Sequence, residues 1–322
     1  MESEEVGLCF PHLLNSSCRR AQSHSPEAVL IYTVLFLLSL LTATLNLLVI
    51  VSIAHFRQLH SATNLILLSL AVSDFFIGLV VVPVETFMWK SCWLFGDLLC
   101  LLYFLLPITL IISSIISVVL ISVDRYVAIC HPMHYHTRIT MKRVQVTVCV
   151  SWVYSFFFAV GILHENYYNL GAYKSCHGEC LITIAVAADL VLGFFIPISI
   201  IVIMYLLVFV VAVSQARAMR SKVATVTFHS TQSKKSEIKA ARNLGILVLV
   251  YLMCYSPYCV VLAGQPILVG MSLEVIMIFV MYVNSCLNPL IYALFYPWFR
   301  KATKIIVTLE ILKPGSRDFK II

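Results

Sequence analysis

Apolar residues run through this chain in long, nearly unbroken stretches, separated by short polar segments. Seven such stretches stand out, at about 28–54, 62–88, 98–123, 144–163, 181–213, 243–266 and 272–296. Each is long enough to cross a hydrocarbon core of ~30 Å, which takes about 20 helical residues. Their apolar character is continuous rather than alternating with period two, which predicts helices and excludes a barrel. After Pro297 the pattern changes. In WFRKATKIIVTLEIL, Trp298, Phe299, Ile305, Ile306 and Leu309 are interleaved with Arg300, Lys301 and Lys304, the pattern of a short amphipathic helix lying on a membrane surface. The expected architecture is an all-α membrane protein. Its parts are a polar N-terminal segment (1–27), a seven-transmembrane helix bundle (28–297) and an amphipathic eighth helix with a tail (298–322).

Composition agrees with that pattern: 61% of residues are hydrophobic and only 11% are charged, which excludes an ordinary soluble domain. Charge adds orientation. With the N-terminus outside, Lys and Arg fall on the inner side except Arg19, Arg20, Lys90 and Lys174, as the positive-inside rule requires. The net charge of +7 therefore reflects topology and contact with inner-leaflet lipids, and nucleic acid is not a partner. No cleavable signal peptide is evident in the polar first 25 residues, so the first helix is expected to direct insertion. Cys9, Cys18, Cys92, Cys100, Cys176 and Cys180 fall outside, where disulfides persist; the remaining five are expected to be free thiols. Asn15, in Asn15-Ser16-Ser17, is a glycosylation sequon on that same side.

One residue breaks the fifth apolar stretch. Asp189 is the only charge in Leu181–Val213. A carboxylate at membrane depth is unfavourable by about 2.5–3.5 kcal/mol, and such residues are functional by default. A cationic ligand is the natural partner, because the sequence places no protein cation near it.

Short motifs then accumulate in a fixed order. Asn46 lies in the first stretch, LSLAVSD ends at Asp74 in the second, Asp124-Arg125-Tyr126 closes the third and Trp152 lies in the fourth. The seventh carries Asn288-Pro289-Leu290-Ile291-Tyr292. Together these make the chain resemble rhodopsin-like G-protein-coupled receptors over nearly its full length. NSCLNPLIYALFYPWFRKATK (284–304), the opening LCFPHLLNSSC and the SCHGEC loop are similar to trace amine-associated receptors. That resemblance implies an amine ligand and a heterotrimeric G protein of the stimulatory class that raises cAMP. It also implies the plasma membrane, and for sensory members the olfactory cilia.

The resemblance assigns further roles. Cys100 is expected to bond Cys180, and Cys18 to bond Cys176. Cys9 and Cys92 are left over, and sequence leaves open whether they pair. Asp74 with Ser114, Asn284 and Ser285 looks like the family's sodium and water pocket, or else like a structural aspartate that holds no ion; no other cofactor is implied. Arg125 is the gate toward the G protein, with Glu237 facing it at rest. An ion pair at that partly wet end is worth only about 0–1 kcal/mol. Tyr205 and Tyr292 would refill the space beside Arg125 on activation.

The ligand site departs from the pattern. Many relatives carry an aspartate seven residues after the third-helix cysteine, but here that position is Pro107, which should also kink the helix. Tyr282, whose family role is to hydrogen-bond that aspartate, is expected to lack a partner. Asp189, eight residues before Pro197, resembles the acid that a fish-type subset keeps in the fifth helix. Tyr258, Tyr255 (where the family usually has Trp), Phe194, Tyr103 and Tyr282 are the candidate aromatic walls, since aromatic faces also stabilise ammonium groups. Glu85 and Glu274 lie near the outer end. Both read most simply as solvated rim charges, although either one, if it faced the cavity, would let a diamine bridge to Asp189.

Other classes fit poorly. There is no metal cluster, nucleophile triad or phosphate loop for an enzyme, and no internal repeat or broken-helix pair for a transporter. The seventh stretch has no lysine for a retinal Schiff base. The remaining alternative is a receptor of the same fold for a peptide or neutral odorant, with Asp189 structural.

Overall fold

The computed structural model describes residues 7–13, 15–20, 26–88, 91–172, 174–222, 246, 249–259 and 271–321. Helix α1 spans Pro26–His55. Helix α2 runs from Ala62 to Met88 with a π-helical turn at Ile77–Val81. Its start is capped by Ser61, whose side chain accepts from the Asn64 amide at 3.2 Å. Helices α3 and α4 are Gly96–Cys130 and Met141–Ile162. Helix α5 joins Val186–Ala188, a second π-helical turn at Asp189–Phe195, and Ile196–Lys222. Residues 249–259 are helical and form the described part of α6. Helix α7 is Met271–Phe295, and α8, Pro297–Val307, leaves it at 98°. Among the described residues, α1 to α5 are each long and apolar enough to cross a membrane, and α7 with α8 qualifies as a bent pair.

Helix α3 is the central post, packed against α2, α4 and α5. Leucines, isoleucines and valines facing outward, such as Leu37, Val150 and Leu206, stay exposed, as lipid contact allows. Buried polar bonds set the register between helices. Asn46 Nδ2 donates to the Ser285 carbonyl at 3.0 Å, joining α1 to α7. Trp152 Nε1 donates to Ser69 Oγ at 3.0 Å, joining α4 to α2. At Gly78 the α1 and α2 backbones nearly touch, and a Cβ there would sit 2.7 Å from the Ala43 nitrogen. Only glycine fits such an approach.

Each π turn lies just before a proline, Pro83 or Pro197. Proline has no N–H for the carbonyl four residues back. The wider turn re-registers the carbonyls that proline would orphan, which is required where no water can satisfy them.

The start of α5 differs from expectation, and α3 and α5 continue past the expected 123 and 213 to Cys130 and Lys222. Helix α5 starts at Val186 rather than near Leu181, because Asn166 holds the preceding segment extended. Asn166 accepts from the Thr183 amide at 2.9 Å and donates to its carbonyl at 2.7 Å. Helix α3 runs unbroken through Pro107.

On the N-terminal side, strands Gly7–Leu8 and Arg19–Arg20 pair antiparallel. Three disulfides, Cys9–Cys92, Cys18–Cys176 and Cys100–Cys180, lace this segment and the loop after α4 onto the bundle. Asn15 is exposed in the intervening turn. At the opposite end, α8 turns its buried Phe299 and Ala302 inward, while Leu309 lies past its end in a left-handed conformation. The chain then folds back over the α1–α2 turn. Ile321 is buried with Phe56, Leu59 and Ala302, its amide donates to Gln58 Oε1 at 3.0 Å, and Arg57 pairs with Asp318 at 3.3 Å.

Candidate ligand-binding site

A cavity of about 50 Å³ lies among α3, α5, α6 and α7. Its α3 wall is wholly aliphatic, made by Ile108, Ile111, Ile112 and Ile115. Asp189, Leu190, Gly193 and Phe194 come from the π turn of α5, Tyr255, Tyr258 and Cys259 from α6, and Met281 from α7. Among the described residues of the lining, Asp189 is thus the one charged group. Tyr258 Oη donates to Asp189 Oδ2 at 3.2 Å. Among the described residues no cationic side chain pairs with it. The π turn places both Asp189 and Gly193 on this wall, and a Cβ at Gly193 would stand 3.0 Å from Asp189 Oδ1. The missing side chain makes room for the carboxylate. A half-buried carboxylate with one neutral donor in an apolar chamber is arranged to receive a cation.

Two expected walls lie elsewhere. Tyr103 packs against Trp93, ring centroids 5.4 Å apart, and Tyr282 is buried on α7 beside the Asp189 cavity rather than on its lining. Tyr282 also has a partner, contrary to the expectation that Pro107 left it none: its hydroxyl donates to Glu85 Oε1 at 2.7 Å. Glu85 is correspondingly no solvated rim charge. It is partly buried and reached from α7 by that phenol. The Glu274 side chain lies outside the described residues.

Tyr255 separates this cavity from a second polar pocket. It lines the first and interacts with Asn284 and Asp74 of the second, while its ring stacks on Tyr251 at 4.5 Å. Asp74 is fully buried. Ser114 Oγ donates to its Oδ1 at 3.0 Å and Asn288 Nδ2 to its Oδ2 at 2.8 Å, and Ser285 is a third partner. Asn46 Oδ1 and Asn284 Nδ2 are buried without hydrogen-bond partners among the described residues. The Asp74 carboxylate, the serine hydroxyls and the free Asn46 Oδ1 are hard oxygen ligands that fit a small cation with water, while Asn284 and Asn288 turn amide nitrogens toward the pocket.

At the inner end of α3, Asp124 is buried and fully engaged. Thr63 Oγ1 donates to its Oδ2 at 3.1 Å, Tyr135 Oη to its Oδ1 at 2.9 Å, and Arg125 Nε to Oδ2 at 2.9 Å. Arg125 is thus folded back on its neighbour and also donates to Thr63 Oγ1 at 3.1 Å. Tyr135 carries no motif of its own in the sequence; only the fold brings it to Asp124. Burial pushes its phenol above the ordinary range, so it remains a donor at physiological pH. Tyr126 is near the surface, 3.4 Å from His131 Nε2. Tyr205 is half-buried, and the Tyr292 hydroxyl is buried without a partner among the described residues. Pro289 lies within α7. Glu237 lies outside the described residues.

A bundle with a polar core, a tied-back arginine at one end and a chamber at the other is the architecture of a membrane receptor. Residues 45–292 match the family described as "7 transmembrane receptor (rhodopsin family)", and the chain is a multi-pass receptor of that class, not an enzyme. It is 36% identical over 331 residues to Trace amine-associated receptor 4 of Mus musculus, covering 98% of this chain and 95% of that one. It is 35% identical over 336 residues to Trace amine-associated receptor 13c of Danio rerio (99% and 97%), and 34% identical over 330 residues to Trace amine-associated receptor 6 of Homo sapiens (97% and 94%). The chain belongs to the trace amine-associated receptors.

Proposed function

We propose that this receptor detects amines, holding the ligand ammonium at Asp189 with Tyr258 as the neutral donor that orients the carboxylate. The observation that carries the reading is a carboxylate that is the one charged group among the described residues of the chamber, with an α3 wall made of isoleucine. The ligand body then lies against that wall, with Phe194 and Tyr255 as aromatic faces. On this reading the acid of α5 replaces that of α3, as the resemblance to the fish-type subset implies. The names of the relatives, trace amine-associated receptors, point the same way. On this reading the N-terminus is extracellular, Asn15 is glycosylated, and the receptor works in the plasma membrane of olfactory cilia. It couples to a stimulatory heterotrimeric G protein and raises cAMP.

The Asp124–Thr63–Tyr135 bonds hold Arg125 back at rest, and Glu237 adds to that restraint. Activation releases Arg125, and Tyr205 and Tyr292 move in beside it. Asp74, Ser114, Asn284 and Ser285 would hold a sodium ion, which when bound supplies positive charge that keeps the inner core in its resting arrangement. A cAMP reporter screen of primary, secondary and tertiary amines tests the reading. A response to amines is expected; responses confined to peptides or neutral odorants would make Asp189 structural and favour that alternative.

A further inference from the structure

Glu85 belongs to the outer part of α2 and is reached by the phenol of Tyr282 from α7, with Tyr103 of α3 within electrostatic range. Among the described residues no Lys, Arg or His pairs with it. Its situation repeats that of Asp189: a carboxylate inside the bundle, steadied by one tyrosine hydroxyl and no protein cation. The two assemblies are also neighbours, because Tyr282 interacts electrostatically with Tyr258. Helix α3 packs against both α2 and α5, and its aliphatic face, Ile108 to Ile115, lines the Asp189 cavity.

A neutral phenol stabilises a carboxylate far less than a cation does, because one hydrogen bond replaces only part of the lost hydration. A ligand with one ammonium group relieves Asp189 and leaves Glu85 as it was. A ligand with two relieves both, and its methylene chain lies against Ile108 and Ile111. We propose that Glu85, with Tyr282 and Tyr103, forms a second cation subsite, and that the preferred ligands are diamines held between Glu85 and Asp189. This rests on the amine reading above. Selectivity for chain length follows, since a short diamine reaches only one carboxylate and a long one must fold.

The test compares α,ω-diamines from propane- to octanediamine with 1-aminoalkanes of equal length, on the full-length receptor in a cAMP reporter cell. Surface levels are matched by biotinylation. In the wild type one diamine length is expected to exceed its monoamine in potency by about tenfold or more. Glu85→Gln keeps an acceptor for Tyr282 and removes only the charge. It is expected to erase the diamine advantage and leave monoamine potency within about threefold. Tyr282→Phe and Glu85→Asp are expected to shrink the advantage too, and they carry the test if Glu85→Gln fails to reach the surface. A wild type without diamine preference, or a preference that survives these substitutions, overturns the second subsite. Failure of the amine reading looks different: there, Asp189→Asn leaves both ligand classes as potent as before.

Discussion

Replacing Gly193 by alanine perturbs the site without touching its charge. The added Cβ would lie 3.0 Å from Asp189 Oδ1 and 3.4 Å from Ile112 Cδ1 and Phe158 Cζ. Phe158 and Ile112 are core residues, so the carboxylate is the group free to yield, by a few tenths of an ångström. Its bond from Tyr258 is already 3.2 Å long, so a shift of that size away from the phenol would bring it to the edge of hydrogen-bonding range. A hydrogen bond to a charged group is worth about 1.5–3 kcal/mol, which corresponds to about a tenfold to hundredfold loss of amine potency. Alanine is also a better helix former than glycine by about 1 kcal/mol, so surface expression should hold. Concentration–response curves for an activating amine, at matched surface level, provide the readout. Unchanged potency would mean that the carboxylate position beside Tyr258 does not matter, and the site as described would be wrong.

Tyr135→Phe removes one of three donors to Asp124 and should raise basal cAMP by roughly threefold to tenfold, because it weakens the resting arrangement by about 1 kcal/mol; basal signalling equal to wild type would remove Tyr135 from the restraint. Gly78→Ala forces α1 and α2 apart and should destabilise the bundle by about 1–3 kcal/mol, seen as a lower melting temperature of the purified receptor in detergent. Ile321→Asp buries a charge against Phe56 and Leu59, so the tail should detach, and trypsin cleavage after Arg317 or Lys320 should accelerate.

Much of this molecule is written locally in its sequence. Continuous apolar runs give the helices, Asp189 is visible as an isolated charge, and Tyr258 as an aromatic beside a sixth-helix proline. The parts that sequence hides are relations between helices. Nothing in the chain announces that Glu85 meets Tyr282, 197 residues away, or that Tyr135 meets Asp124. The solvated-rim reading of Glu85 followed from its distance to the helix end alone, and the bond it accepts from Tyr282 overturns it. Asn166 shortens α5 by a pair of backbone bonds that propensity does not foresee. The π turns were half legible, since Pro83 and Pro197 each demand some local adjustment and the wider turn is one of several available.

The central claim is that the ligand's positive charge is held by Asp189, and Asp189→Asn measures it most directly. Asparagine keeps the size of the side chain and can still accept from Tyr258, so the fold is spared. Truncating one partner of a buried charge pair costs about 2–5 kcal/mol, so amine potency in the cAMP assay should fall by about thirtyfold or more at normal surface level. Full amine potency in a normally expressed Asp189→Asn receptor would contradict the account.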